Sequence, residues 1–117
     1  MNLSDFTIES SGTLLDAAER ISHNCSRCVI VTSHSKVIGA ISEGDLLRAI
    51  LRGTSMHSPL QPFINLSITY LEARNMEKAL VFFRTSGISL IPIVNDNMEL
   101  LDVITITHIL QIATLVA

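Results

Sequence analysis

The sequence predicts a mixed α/β (α+β) fold made of two tandem copies of one small unit. The apolar periodicity gives each copy the order helix, strand, strand, helix, with a short extra strand. The chain has 117 residues, of which 48% are apolar and 16% charged, so it can bury a substantial core. Units this small cannot each close a core, so we expect them to pack together about a pseudo-two-fold axis.

The charge balance and the apolar runs argue against several classes of function. A net charge of −3 and a pI near 5.7 argue against nucleic acid as a main partner. No apolar run approaches the roughly 20 residues of a membrane span. The N-terminus lacks the basic start and long apolar run of a signal peptide, so we expect a cytoplasmic location. Few charges are left to cover the surface, which favours a homodimer.

The first half begins with a short edge strand near residues 6–8, followed by a helix at residues 14–23. Thr13 and Asp16 have the spacing of a capping box at the start of this helix. The β-branched run at residues 27–31 then predicts a buried strand, and a polar hairpin turn follows it.

The most informative stretch is a strand that runs directly into a helix. Residues 37–41 are so uniformly apolar that we expect both faces of the strand to be covered. Ser42 can cap the helix at residues 43–52, with Asp45 three residues further on and Gly53 as its stop. A helix N-terminus attracts anions, so this hydroxyl and carboxylate could bind a phosphate and a sugar hydroxyl. On these residues alone, an ordinary helix cap is the preferred explanation, because S-x-x-D is a common capping pattern.

A polar connection at residues 54–66, which contains two prolines, separates the halves. Residues 67–70 then predict a short strand. A helix begins after Asn75, a cap residue, and is ended by Gly87.

The second half closes with two strands and an apolar helix. The strand at residues 88–94 contains Pro92, which indicates a sheet edge or a bend. A buried strand follows at residues 100–104, and Thr105 caps the last helix, at residues 106–115.

An internal alignment divides the chain into repeats at residues 1–58 and 59–117. The shift is 63 residues over the strands and 62 over the first helix, which predicts one missing residue in the first helix–strand loop. The pairs that define the shift are Val31 with Val94, Ser42 with Thr105, and Ala17 with Ala79. The cleft between the repeats is the expected binding location.

The repeated pattern resembles a tandem CBS-domain pair, the Bateman module. The resemblance rests on VIVTSHSKVIGAISEGDLL in the first half and GISLIPIVNDNMELLDVITITHIL in the second. The run GAISEGDLLRAILRG is also similar to the CBS pairs attached to sugar-phosphate nucleotidyltransferases.

The resemblance implies an adenosine-ligand site in the first repeat. Ser42 would contact phosphate or ribose, and Asp45 would accept from the ribose hydroxyls. Gly39 would allow a close approach of the strand to its neighbour or to ligand, and Ile41 would help to wall the base. Arg27 falls where family members often have a phosphate-pairing residue, although a solvent-facing arginine explains it equally well. The implied ligands are AMP, ADP, ATP or S-adenosylmethionine, and no cofactor is required.

The second repeat departs from this pattern. Thr105 is retained, but Asp102 replaces the glycine and His108 replaces the aspartate. A neutral imidazole cannot accept from two ribose hydroxyls as a carboxylate does. We therefore expect at most a weaker second site, with Thr105, His108 and Pro92, and prefer His108 as an ordinary residue at a helix start.

These observations predict a regulatory module that binds an adenosine ligand between its repeats and modulates an attached or partner protein. The alternative is a ligand-free dimerisation module, in which apolar helix positions form the interface. The interface residues expected in that case are Leu46, Ile50, Ile109, Ile112 and Leu115.

An enzyme is the third class of function that we considered. Cys25, Cys28 and His57 are candidate groups, but no nucleophile has a plausible base and orienting residue. The C-x-x-C pair lacks further zinc ligands at a suitable spacing, and we expect two reduced thiols with Cys28 facing the core. No catalytic or metal-binding residue is therefore predicted.

Overall fold

The computed structural model describes the backbone of residues 2–116 and the side chains of residues 2–111. The elements follow the predicted order, with two short 3₁₀ turns at Leu3–Phe6 and Gln61–Phe63. The strands and helices are β1 (Thr7–Glu9), α1 (Leu14–Asn24), β2 (Cys28–Ser33), β3 (Lys36–Ser42), α2 (Glu43–Leu51), α3 (Met76–Ser86), β4 (Leu90–Val94), β5 (Leu100–Thr105) and α4 (Ile106–Val116). Among the described residues, no helix has the length and apolar character that crossing a membrane requires.

Local capping chemistry starts and stops the first helix of each repeat. The Thr13 backbone N–H donates to Asp16 Oδ2 at 2.9 Å, and the Asp16 N–H donates to Thr13 Oγ1 at 3.2 Å. Asn75 caps α3 by accepting a hydrogen bond from the Lys78 N–H at 3.0 Å. Cys25 and Gly87 end the two helices in the left-handed conformation, with φ of 56° and 67°. The predicted starts of both helices are thus confirmed.

Two antiparallel hairpins form the sheets and confirm the internal repeat. β2 pairs with β3, and β1 joins β2 in parallel, while β4 pairs with β5. The register of both hairpins shifts at the same place, between Val31 and Thr32 of β2 and between Ile93 and Val94 of β4, because β3 and β5 each have one extra residue there. A shared irregularity of this kind indicates that the two halves are copies of one unit.

The strand register corrects the internal alignment by one residue. Val31 pairs with Gly39, and Ile93 pairs with Asp102. Val31 is therefore equivalent to Ile93, a shift of 62, and the prediction that it matches Val94 was wrong. The additional residue of the second repeat lies in the turn between β4 and β5, and the helix–strand loops are equal in length. Two adjacent apolar residues fit either register, so composition alone could not decide between them.

The predicted strand at residues 67–70 is also wrong, and Pro92 gives the reason. Leu71 bridges to β4 in parallel: its N–H donates to the Pro92 carbonyl at 3.0 Å, and its carbonyl accepts from the Val94 N–H at 2.9 Å. The next hydrogen bond of a parallel ladder would need the backbone N–H of residue 92 as its donor, and proline has no backbone N–H. Ile30 occupies the equivalent position in β2 and has an N–H, which allows β1 to form.

The repeats share a core through equivalent sheet faces. One apolar cluster joins β2 and β3 to β4 and β5, and its fully or largely buried members are Phe6, Ile30, Val37, Leu90, Val94 and Val103. Separate clusters lie under the helices of each repeat. The arrangement forms a cleft between the sheets where this shared core ends.

Burial along β3 and α2 differs from expectation at two points. Val37, Gly39 and Ile41 are buried, but the residues between them are only half-buried, so one face of β3 is covered less than predicted. Leu46 is 7% exposed and belongs to the core of the first repeat, so the prediction that it lies in a dimer interface was wrong. It points inward because it lies one turn before the buried Ala49 on the same face of α2.

Candidate functional site

A cavity of about 420 Å³ lies between the two repeats. Small-molecule sites commonly have volumes of roughly 300–1,000 Å³, so this cavity could hold most of a nucleotide. One wall is formed by the first repeat, and the opposite wall by segments of the second. The lining residues are Arg27, Cys28, Ile30, Ala40, Ser42–Asp45, Arg48, Asn65, Ser67–Thr69, Gly87–Leu90 and Pro92.

The predicted pair Ser42 and Asp45 lies at the cavity, where it forms the cap of α2. Asp45 Oδ2 accepts the Ser42 backbone N–H at 2.9 Å and the Ser42 hydroxyl at 3.0 Å. The Asp45 N–H donates to Ser42 Oγ at 3.2 Å. The two readings of this motif are thus compatible, because the residues cap the helix and line the cavity together.

Arg27 is among the residues that line the cavity, and its backbone is held by the start of α2. Its backbone is in the left-handed region, with φ of 65°, and its carbonyl accepts the Glu43 N–H at 2.9 Å. Its guanidinium forms an ion pair with the Glu43 carboxylate at 3.4 Å, and both side chains are largely exposed. An exposed pair of this length contributes little to stability, so the guanidinium is available to an anionic ligand.

Cys28 lies in the cavity wall but is not reactive there. Burial and, to a smaller extent, the nearby Asp45 carboxylate raise the pKa of the Cys28 thiol to about 12. The group therefore stays a neutral thiol at physiological pH. Cys25 is an exposed free thiol. Within residues 2–111, no three His, Cys, Asp or Glu side chains are grouped as a metal site would require.

Two predicted site residues do not line the cavity. Ile41 is fully buried in the core of the first repeat, and its neighbour Ala40 lines the cavity instead. Gly39 packs against the segment between the repeats: a Cβ atom there would lie 2.5 Å from the Asn65 carbonyl oxygen and even closer to a methyl group of Ile64. Gly39 thus permits a close approach of two backbones and is not in the cavity wall.

The predicted residues of the second site divide between two places. Pro92 lines the cavity beside Ser42 and Asp45, so it belongs to the first site. Thr105 is buried and caps α4, with its Oγ1 accepting the His108 N–H at 3.0 Å. This bond fits the interpretation of His108 as a residue at an ordinary helix start.

Asp102, at the position of Gly39 in the first repeat, forms an ion pair with Arg74. Partial burial by itself raises the pKa of Asp102. Hydrogen bonds from the Val103 N–H and from Arg74 outweigh that effect, so the pKa lies below its usual value. The second repeat therefore has the ion pair Asp102–Arg74 at the position where the first repeat has Gly39.

Sequence reasoning missed Arg48 and most of the second wall. Arg48 Nη2 donates to Asp45 Oδ1 at 2.6 Å, and the spacing of three residues on one helix could have indicated this pair. The segments 67–69 and 87–89 bear no local signal, because only the packing of the repeats brings them to the cavity.

The family model for the CBS domain matches residues 1–52 and 68–114. The chain therefore belongs to the CBS domain family. An uncharacterized protein of Helicobacter pylori is 31% identical over 87 residues, which make up 72% of this chain and 26% of that protein. The match thus spans about a quarter of that relative's length.

Solved structures show the same fold. A CBS domain protein from Pyrobaculum aerophilum complexed with AMP has a TM-score of 0.74 and 24% identity, covering 92% of this chain and 90% of that one. The CBS domain pair of protein MJ0100, in complex with 5′-methylthioadenosine and S-adenosyl-L-methionine, has a TM-score of 0.79 and 18% identity over 96% and 90%. A CBS domain pair/ACT domain protein from Thermotoga maritima has a TM-score of 0.75 and 18% identity over 99% and 98%. The chain has the fold of a CBS domain pair.

Proposed function

We propose that this chain is a regulatory CBS pair that binds an adenosine nucleotide (AMP, ADP or ATP) or an adenosyl ligand such as S-adenosylmethionine. The observation that carries the proposal is the cavity between the repeats, with Ser42, Asp45 and Arg27 together on one wall. Two proteins of the same fold, described as complexes with AMP and with 5′-methylthioadenosine and S-adenosylmethionine, support this ligand class.

The lining suggests a position for each part of the ligand. Ile30, Ile68 and Pro92 provide apolar surface for the flat adenine ring. Asp45 is the acceptor for ribose hydroxyls, since a carboxylate accepts strong charge-assisted hydrogen bonds. The N-terminus of α2 and the Arg27 guanidinium attract the phosphate.

The cavity walls come from both repeats, so a bound ligand couples them. A direct link already exists at one edge, where the Ser89 hydroxyl donates to the Ser26 carbonyl. Ligand binding would favour one relative position of the repeats over others, and an attached or partner protein would sense that change. The module itself has no proposed catalytic role, consistent with a family match that indicates no catalytic family.

Thermal melting in the presence of AMP, ATP and S-adenosylmethionine, added separately, tests the proposal. A ligand that binds only the folded state raises the melting temperature as its concentration passes the Kd. We expect at least one of the three to raise it at millimolar concentration. If none does, the ligand-binding function is wrong.

The second candidate is a dimerisation module without ligand, and exposed side chains on α2 favour it. Leu47, Ile50 and Leu51 are 57%, 52% and 76% exposed, an apolar surface that a second copy could cover. Ile109 is half-buried against its own repeat, and the side chains of Ile112 and Leu115 lie outside the described residues. Both candidates allow a dimer, so they differ only in the ligand. A structural module is a dimer by light scattering whose melting temperature none of the three adenosine ligands raises.

The regulated protein, the cytoplasmic location and the repeat boundary at residue 58 stay predictions. The relatives and structures described above include no sugar-phosphate nucleotidyltransferase, so the proposal does not assign one as the regulated partner.

A further inference from the structure

The Asp45 carboxylate has little capacity left for a ribose in this structure. Its Oδ2 accepts two hydrogen bonds from Ser42, and its Oδ1 accepts Arg48 Nη2 at 2.6 Å. A carboxylate offers about four acceptor positions, and a ribose diol needs two of them. One existing partner must therefore leave before both ribose hydroxyls can donate to Asp45.

Arg48 is the partner that leaves most easily. The bond from the Ser42 N–H belongs to the capping box of α2, and the Ser42 hydroxyl is held in the same box as the acceptor of the Asp45 N–H. Ser42 therefore cannot move away from Asp45 without breaking the helix cap. The Arg48 side chain is 61% exposed, against 24% for Asp45, so its guanidinium can turn into solvent, and a pair with one largely exposed partner contributes little. Releasing Arg48 therefore frees Asp45 and leaves the fold intact.

In its pair with Asp45, the Arg48 guanidinium already lies beside the start of α2, over Gly44, which has no side chain to exclude it. A Cβ atom at Gly44 would lie 3.3 Å from Arg48 Nη1 and 3.6 Å from Ser42 Oγ, so the guanidinium folds back over the first turn of α2. That turn is the positive end of the α2 dipole, which favours a phosphate. Arg48 can thus exchange the carboxylate for a ligand phosphate at the same end of the helix.

We propose that Arg48 determines specificity at this cleft: it pairs with Asp45 in the free protein and with the ligand phosphate in the complex. The inference rests on the proposed function and narrows its ligand class to phosphorylated adenosines. The ribose hydroxyls of AMP would displace Arg48 from Asp45, and the phosphate of AMP would become the new anionic partner of the guanidinium. The ribose of adenosine would displace Arg48 in the same way, but adenosine has no phosphate, so the guanidinium would be left to water.

The Arg48→Gln variant tests this exchange by titration calorimetry with AMP and with adenosine at one fixed ionic strength. AMP affinity should fall about tenfold, because a charge-assisted bond to phosphate is lost. Adenosine affinity should rise about threefold, because Asp45 no longer has a competing partner. These opposite changes are the signature of the exchange.

Two further arginine variants serve as controls with the same change in charge. Arg52→Gln alters an exposed residue at the far end of α2 and should leave both affinities unchanged. Arg27→Gln removes a cation that pairs with Glu43 and not with Asp45, so it should weaken AMP without strengthening adenosine.

The outcomes separate this inference from the function on which it rests. If AMP binds and Arg48→Gln lowers both affinities equally, or changes neither, Arg48 does not determine specificity, and the nucleotide site stands. If the unaltered chain binds neither AMP nor adenosine, this inference fails, and the melting test with ATP and S-adenosylmethionine decides the proposed function.

Discussion

At the scale of the residue, the capping role of Asp45 can be separated from its proposed role in ligand binding, because the chain contains a matched second copy of the capping motif. Thr13 and Asp16 cap α1 with the same two distances, 2.9 and 3.2 Å, that Ser42 and Asp45 have at α2. Asp45 lines the cleft between the repeats, and Asp16 does not. Ligand binding should therefore depend on one aspartate only, while helix stability depends on both.

The Asp45→Asn and Asp16→Asn variants test this separation. Both should melt a few degrees below the unaltered chain, because each loses a charged acceptor at a helix start. Only Asp45→Asn should also lose the shift in melting temperature that AMP produces. Equal AMP responses in the two variants would show that the Asp45 carboxylate does not hold the ligand.

Acid stability depends in part on Asp102, which pairs with Arg74 in the second repeat. The pKa of Asp102 is lowered in the folded state, so its contribution is present above the ordinary aspartate pKa of about 4 and is lost as the pH falls through the lower, folded value. As the pH is lowered below about 4, the urea unfolding midpoint of the Asp102→Asn variant should therefore fall less than that of the unaltered chain. Parallel losses in the two proteins would exclude this contribution.

At the scale of the element, local chemistry made the helix boundaries predictable, whereas pairing between elements was not. The caps at Thr13, Ser42 and Asn75 involve residues within one turn, so the sequence contains all the information they need. The absence of a strand at residues 67–70 depends on the missing N–H of Pro92, an element away. The site prediction shows the same limit, since Ser42 and Asp45 are at the cleft but Ile41 faces the core.

Contact between β3 and the segment joining the repeats makes Gly39→Ala a test of the packing. The added Cβ would meet the backbone of Asn65, which lines the cavity, so that segment must shift. We expect a loss of about 1–3 kcal/mol in the free energy of unfolding, measured in urea, and weaker AMP binding. Gly12→Ala is the control, because its nearest contacts, at 3.3 Å, require only a small shift and Gly12 is not among the residues that line the cavity. Similar losses in both variants would contradict this role for Gly39.

At the scale of the whole molecule, the cleft exists only because the repeats share a core. The sequence predicted the repeat and one wall of the site. Arg27 directly precedes β2, and Ser42 and Asp45 lie where β3 runs into α2, so all three belong to one continuous stretch of the first repeat. The sequence did not predict the other wall, which becomes visible only once the two sheets are packed face to face. The proposed ligand binding, and any change in the relative position of the repeats, would thus be properties of the pair that neither repeat provides alone.

Titration of the ¹⁵N-labelled chain with AMP, followed by amide chemical shifts, tests the central claim most directly. The account predicts concentration-dependent shifts on both walls of the cleft, at residues 42–45 in the first repeat and at residues 67–69 and 87–90 in the second. Amides near Thr13 and Asp16, at the other capping box, should not move. Shifts absent from the cleft, or confined to one of its walls, would contradict a ligand site between the repeats.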